Sequence, residues 1–239
     1  MVITSVSNEK VKAVRKLAQK KYRDAENAFI LEGIKPVREA IAQNRDIVFL
    51  FGTESALLRI GNYAGERVAV SESVYASVSE ERNPEGVLAV VEKPSMKPQK
   101  CNARCLLLDG VRDPGNLGTI IRTAAAAGYR HVFLKECADP YNPKTVRASM
   151  SGIFGVTLYE ALDDFASYIE VPIYAADMNG EDVFGTEKRD VCIALGGEAD
   201  GLSDAVRAAA EKIVSIPMEQ ASESLNVAVA AGIMMYALR

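Results

Sequence analysis

Three segments of this chain share one design, and their order along the chain decides what can be built from them. Residues 106–134 read LLLDGVRDPGNLGTIIRTAAAAGYRHVFL, residues 193–206 read IALGGEADGLSDAV, and residues 213–238 read IVSIPMEQASESLNVAVAAGIMMYAL. Each passes from a buried-type strand through a polar loop into the start of a helix. Runs as continuously apolar as CLLLD and VCIAL are what strands covered on both faces of a parallel sheet require. Loops at the carboxyl ends of such strands are where an α/β sheet places its ligand. The chain is therefore expected to carry one small-molecule site assembled from these loops.

The 239 residues are enough for two modest cores, and 49% hydrophobic with 25% charged residues is ordinary for a globular protein. No apolar run approaches the ~20 residues of a membrane span. The N-terminal MVITSVSNEKVKAVRK lacks the apolar middle of a secretory signal. Cys101, Cys105, Cys137 and Cys192 form no CxxC pair, and His131 is the lone histidine, so no metal site is expected. Scattered thiols suit a reducing compartment, and the expected location is the cytoplasm, without a membrane partner.

The net charge of −4 argues against a nucleic-acid partner until its distribution is read. Residues 1–23 carry +6 and the remainder carries −10. That polarity fits a basic arm reaching for phosphates, through Lys10, Lys12, Arg15, Lys16, Lys20, Lys21 and Arg23. A solvated, lysine-rich helix face accounts for the same charges.

Val11, Val14, Leu17 and Ala18 have helical spacing and predict a helix over residues 8–22. Short strand-like runs (AFILEG, IVFLF, RVAV, GVLAVVEK) then alternate with helical stretches as far as Glu92. KPSMKPQKCNA, with its prolines and lysines, reads as a linker. The expected organisation is α/β throughout: a small domain over 1–94, a linker over 95–104, and a larger domain over 105–239. In the larger domain the alternation restarts, with a helix from about Asn116, another near Lys144–Met150, strands at PIYAAD, VCIAL and IVSIP, and a closing helix over Ser222–Leu238.

Gly110 and Gly115 have the GxxxxG spacing of a phosphate loop, but Asn116-Leu117 replaces the required Lys-Ser/Thr. GxG occurs nowhere, which removes the dinucleotide fingerprint. Arg122, among isoleucines and alanines, needs a partner: a structural ion pair or a phosphate gripped by its fork. Glu198 and Asp200 place negative charge in the second loop, which suits a cationic or neutral ligand and not an anion. Ser203 is positioned to cap the helix that follows. In the third loop Ser222, Ser224 and Asn226 crowd a helix start, and capping occupies only one of them. VAVAAGIMMYAL is apolar all round and must be buried, in the core or at a subunit interface.

Together these segments resemble the SpoU (TrmH) family of RNA 2′-O-ribose methyltransferases in the SPOUT superfamily. The motif N-x-G-x-x-x-R stands as Asn116-Leu-Gly118-Thr-Ile-Ile-Arg122, and G-x-E-x-x-G-L as Gly196-Gly197-Glu198-Ala-Asp-Gly201-Leu202. I-P-M with S-L-N-V-A-V-A-A-G is Ile216-Pro217-Met218 with Ser224-Leu225-Asn226 onward to Gly232. Asn142-Pro143-Lys144 and Arg147-Ala-Ser149 are similar to the intervening segment. One departure is Gly197, where many relatives carry Asn. SNEKVK and FILEGIKPVREAI resemble the family's N-terminal substrate-binding domain, itself similar to some ribosomal proteins.

The resemblance implies a deep trefoil knot in the second domain, a homodimer joined through the last helix, and S-adenosylmethionine as cofactor. By position, Leu195, Gly197, Ile216, Met218, Leu225 and Asn226 would hold the cofactor. Arg122, Asn116, Glu198, Ser224 and Asn226 would form the catalytic set, and Arg147 would join the RNA-binding residues. Relatives acting on tRNA often lack the N-terminal domain, so ribosomal RNA is the favoured substrate and 2′-O-ribose methylation of tRNA the alternative. A non-catalytic RNA-binding factor on the same fold is the rival from another class, and the intact Asn116, Arg122, Glu198 and Asn226 count against it.

Overall fold

The computed structural model describes residues 1–161, 163–198, 200–219 and 224–239, and divides into two compact units. Met1–Pro94 with Tyr141–Arg147 form the first, and Ser95–Pro140 with Ala148–Arg239 the second.

The first unit opens with α1 (Glu9–Lys16) and α2 (Lys20–Ala25). Four strands follow, β1 (Ala28–Glu32), β2 (Ile47–Gly52), β3 (Arg67–Ala69) and β4 (Val87–Glu92), with α3 (Ile34–Ala42), α4 (Glu54–Ile60) and α5 (Glu72–Ala76) between them. The sheet order is β1-β4-β2-β3, antiparallel except for the parallel pair β2 and β3. Val11, Val14 and Leu17 are buried with Phe51, Val74 and Tyr75, as the helical spacing required.

The single helix expected over 8–22 is two helices. Asn8 caps α1 by accepting from the Lys10 amide, and Arg23 closes it from below, donating to the carbonyls of Leu17 and Ala18 at 2.7 Å each. A helix end leaves its last carbonyls unpaired, and this guanidinium satisfies two of them. Arg23 is 1% exposed, so its assignment to an RNA-contacting set is corrected: it is a buried structural cap.

Among the described residues the second unit holds six strands in the order β10-β8-β9-β5-β6-β7, all parallel. They are β5 (Cys105–Asp109), β6 (His131–Lys135), β7 (Thr157–Glu160), β8 (Ile173–Asp182), β9 (Cys192–Gly196) and β10 (Lys212–Ser215). Its helices are α6 (Pro114–Ala127), α8 (Asp204–Ala209) and α9 (Val227–Ala237), while α7 (Pro143–Ala148), between β6 and β7 in the chain, belongs with the first unit as far as Arg147. The central β5 and β9 are buried through Leu107 and Ala194, both 0% exposed, as strands covered on both faces must be. Cys105 stands opposite Cys192 in their register, and all four cysteines are free thiols. α9 returns from the sheet edge to pack on α6.

Several boundaries differ from the sequence reading. α6 begins at Pro114, not Asn116, because Asp113 caps it by accepting the Asn116 amide at 2.8 Å and proline suits the first helical position. The closing helix is described from Val227, capped by Asn226, whose side-chain oxygen accepts from the amides of Ala228 and Val229. Ser222 lies outside the described residues. α9 is not covered all round: Val229 and Tyr236 are each 51% exposed. The segment Tyr141–Arg147, counted with the second domain in the linear reading, belongs to the first unit. There Tyr141 packs at a tilt against Phe29 with ring centroids 4.9 Å apart, and Arg147 pairs with Glu81. Among the described residues no helix is long and apolar enough to cross a membrane.

Candidate cofactor cavity and catalytic loops

The carboxyl ends of β5, β9 and β10 lead into the three loops, and beside the last two lies a cavity of about 500 Å³. That volume is in the range of sites that enclose a nucleoside-sized ligand. All six residues expected to hold a cofactor line it: Leu195, Gly197, Ile216, Met218, Leu225 and Asn226. Glu198 and Ser224 of the catalytic set line it too. A Cβ on Gly197 would collide with the carbonyl of Gly110, so the second loop can lie against the first only with glycine there. Ile216, Met218 and Leu225 give the cavity apolar walls beside Gly197.

Asn116 and Arg122 do not line the cavity, but Asn116 is tied to it. Its amide nitrogen donates to Glu198, and its amide oxygen accepts from the Asn226 side chain at 3.0 Å. A carboxylate can only accept, so Glu198 fixes which way the Asn116 amide faces. That in turn fixes Asn226, whose nitrogen must face Asn116 and whose oxygen is left for the amides of α9. Asn116, Glu198 and Asn226, one from each loop, are joined in one directional chain.

Arg122 is exposed on α6 and, among the described residues, makes no ion pair or hydrogen bond. The structural salt bridge that could have explained it is not made. Gly152 lies directly against its backbone, where a Cβ would come 2.7 Å from the Arg122 Cα. The guanidinium stays charged and free to grip an anion.

Sequence reading missed the cavity wall contributed by β8. The register of β8 against β10 jumps from Ala175 opposite Ile213 to Glu181 opposite Val214, so the intervening residues leave the ladder. Gly180 permits this, since a Cβ there would lie 2.6 Å from the main chain of Val214. The displaced stretch brings Ala176, Asp177 and Met178 to the cavity. Asp177 pairs with Arg207 of α8 at 2.6 Å, and Arg207 also lines the wall. Bonds from the Asn179 amide and from Arg207 hold the Asp177 carboxyl below its ordinary value. The signal was present: PIYAAD reads as a strand ending at Asp177, on the same edge as the loops already singled out. Ser203 sits at the start of α8, yet its hydroxyl is buried and makes no capping bond.

The basic residues of the first unit are differently placed. Lys10 pairs with Glu66 at 2.9 Å, Lys12 with Glu9 at 3.4 Å and Lys20 with Asp24 at 2.7 Å, and Arg15 donates to Ser77. Lys16 and Lys21 approach the Tyr22 ring, 5.5 and 4.7 Å from its centroid. Exposed pairs of this kind are worth little.

Residues 103–236 match the SpoU rRNA Methylase family, and residues 8–89 match an MRM3-like substrate binding domain. The chain is 31% identical over 253 residues to the 23S rRNA (guanosine(2553)-2′-O)-methyltransferase RlmP of Bacillus subtilis (strain 168), covering 99% of this chain and 98% of that protein. Among solved structures, an AdoMet-bound rRNA methyltransferase from Sinorhizobium meliloti is similar with a TM-score of 0.88 and 33% identity, over 100% of this chain and 97% of that one. The SpoU methyltransferase AviRb from Streptomyces viridochromogenes, in complex with AdoMet, matches at a TM-score of 0.85 and 26% identity, over 97% of each chain. The three motifs, the loops they build and these likenesses agree: this chain belongs to the SpoU rRNA methylase family.

Proposed function

We propose that this chain is an S-adenosylmethionine-dependent RNA 2′-O-ribose methyltransferase whose substrate is large-subunit ribosomal RNA, and that it works as a cytoplasmic homodimer. The observation that carries the proposal is the Asn226–Asn116–Glu198 chain, which joins all three loops while Arg122, six residues along the same helix, has no ion-pair partner among the described residues.

The cavity fits the cofactor. Its volume is adequate, Ile216, Met218 and Leu225 offer apolar walls to a purine, and the Glu198 carboxylate suits a cationic ligand. When bound, S-adenosylmethionine supplies a methyl group already activated by its sulfonium.

The harder task falls to the protein: aligning a ribose 2′-OH and relieving it of its proton. Alignment alone supplies several kcal/mol. Arginine stays protonated, which makes it a poor base and a good clamp. Arg122 grips the phosphate next to the target ribose, and that phosphate polarises the hydroxyl or takes its proton as the methyl group leaves the sulfonium. Asn116, Glu198, Ser224 and Asn226 position the ribose, the arginine or the cofactor carboxylate, Asn226 while capping α9.

The substrate assignment is supported by the names of the relatives, RlmP among them, and by the match of residues 8–89 to a substrate binding domain. Lys10, Lys12, Arg15, Lys16, Lys20 and Lys21 would meet RNA phosphates, with Arg147 at the far side of its pair with Glu81. The homodimer is supported by the apolar residues that α9 leaves open, Val229 and Tyr236. In the dimer, Arg122 would serve the cofactor site of the opposite subunit. The trefoil knot is supported by the long return of α9 from the edge strand β10 to α6.

The test is incubation of the purified protein with methyl-labelled S-adenosylmethionine and unmodified total RNA, followed by counting of size-separated fractions. Label in large-subunit RNA is expected. Label confined to tRNA would overturn the substrate assignment, and absence of both label and cofactor binding would overturn the enzyme itself.

A further inference from the structure

Asp109, the last residue of β5, is nearly buried at 4% exposure, and so is its partner Lys135 of β6, at 9%. Their charged atoms stand 3.3 Å apart. The other carboxylate oxygen of Asp109 accepts the Ser203 amide at 2.7 Å, and its main-chain oxygen accepts the Gly197 amide at 2.8 Å. Gly197 and Ser203 are the two ends of the second loop. Between them the loop closes on itself, the Gly201 amide donating to Gly197 at 3.1 Å. One residue from the first strand therefore fixes both feet of the loop that frames the cavity.

We infer that Asp109 is a positioning residue for the cofactor: it sets the shape of the Gly197–Ser203 loop before anything binds. The inference rests on reading the cavity as the S-adenosylmethionine site. A carboxylate is required because both of its oxygens face donors, the Lys135 ammonium and the Ser203 amide. Asparagine would turn its own NH₂ toward one of them, setting donor against donor. Lys135 is the counter-charge that lets a carboxylate be buried there at all. A loop displaced by even ~1 Å loses much of its function, as with any preorganised site.

The test measures S-adenosylmethionine binding by calorimetry, and amide hydrogen exchange, on the full chain. Asp109→Asn is compared with Leu106→Ala, a truncation in the core of the same strand. Asp109→Asn is expected to raise Kd about tenfold or more and to speed exchange at Gly197 and Ser203, with amides of α6 still protected. Leu106→Ala is expected to lower Tm while leaving Kd within about threefold of wild type. Should Asp109→Asn fail to fold, Ser203→Pro removes the amide donor that faces Asp109, together with a hydroxyl that makes no hydrogen bond. The Ser203 φ of −65° already matches proline, and the Asp109–Lys135 pair is left intact. It too is expected to weaken binding about tenfold. Wild-type affinity in Asp109→Asn or Ser203→Pro would overturn the inference, as would an equal loss in Leu106→Ala. A wild-type chain that does not bind S-adenosylmethionine would instead defeat the cofactor reading on which it rests.

Discussion

The side-chain nitrogen of Asn226 donates to the side-chain oxygen of Asn116 at 3.0 Å, across 110 residues of chain. Asn226 does two things at once, since its oxygen also caps α9. Aspartate keeps the cap and loses the donor, so Asn226→Asp separates the two roles. It should hold Tm close to wild type and lower methyl transfer about tenfold or more. Asn226→Ala loses both, and its cap alone costs about 1 kcal/mol. Thermal denaturation and turnover measured on the same samples check this. Wild-type turnover in Asn226→Asp would reduce Asn226 to a cap.

Arg122 has no structural partner to lose among the described residues. Arg122→Ala should therefore leave Tm unchanged and cofactor affinity within a few fold, while turnover falls about 10²-fold or more. Cofactor binding that fell in step with turnover would place Arg122 in the architecture of the cavity. Single-turnover kinetics beside calorimetry separate the two.

Arg23 and the lysines near it should behave as opposites. Arg23→Ala uncovers the carbonyls of Leu17 and Ala18 and should lower Tm by several degrees. Replacing Lys12, Lys16 and Lys21 together by alanine should leave Tm alone and weaken RNA binding. The slope of log affinity against log salt should fall by about 2. Filter binding across a salt series measures it.

Glu32 ties β1 to α5, accepting from the hydroxyls of Tyr75 and Ser79. Burial raises its carboxyl above the ordinary 4.5. The folded state thus binds a proton that the unfolded chain has released, and stability falls as pH rises from 4.5 through the raised value. Glu32→Gln keeps an acceptor for both hydroxyls without the charge. It should be more stable than wild type at pH 7, with the difference closing as pH drops toward 4.5. Urea denaturation at several pH values follows that difference.

Much of this was legible in the sequence because it depends on local pattern. Leu106–Leu108 and Ile193–Leu195 announce buried parallel strands by being apolar without alternation, and the loops between strand and helix announce themselves by polarity and glycine. What was not legible depends on where chain segments meet. Arg23 looks like its basic neighbours until the helix breaks at Leu17 and needs a donor. Asp109 is one acid among many until β9 lies beside β5 and brings Gly197 and Ser203 to it. Tyr141–Arg147 lies between strands of one unit and packs into the other, which no periodicity encodes. A knot is likewise invisible to pattern, and general rules of chain connection argue against one.

The position of the transferred methyl group tests the central claim most directly. Large-subunit RNA labelled by the wild-type chain would be digested to nucleosides and resolved by mass spectrometry, with Arg122→Ala treated in parallel. The account predicts the label on a ribose 2′-oxygen at a single nucleotide, and almost none from the variant. Label on a base, or equal ribose labelling by Arg122→Ala, would contradict it.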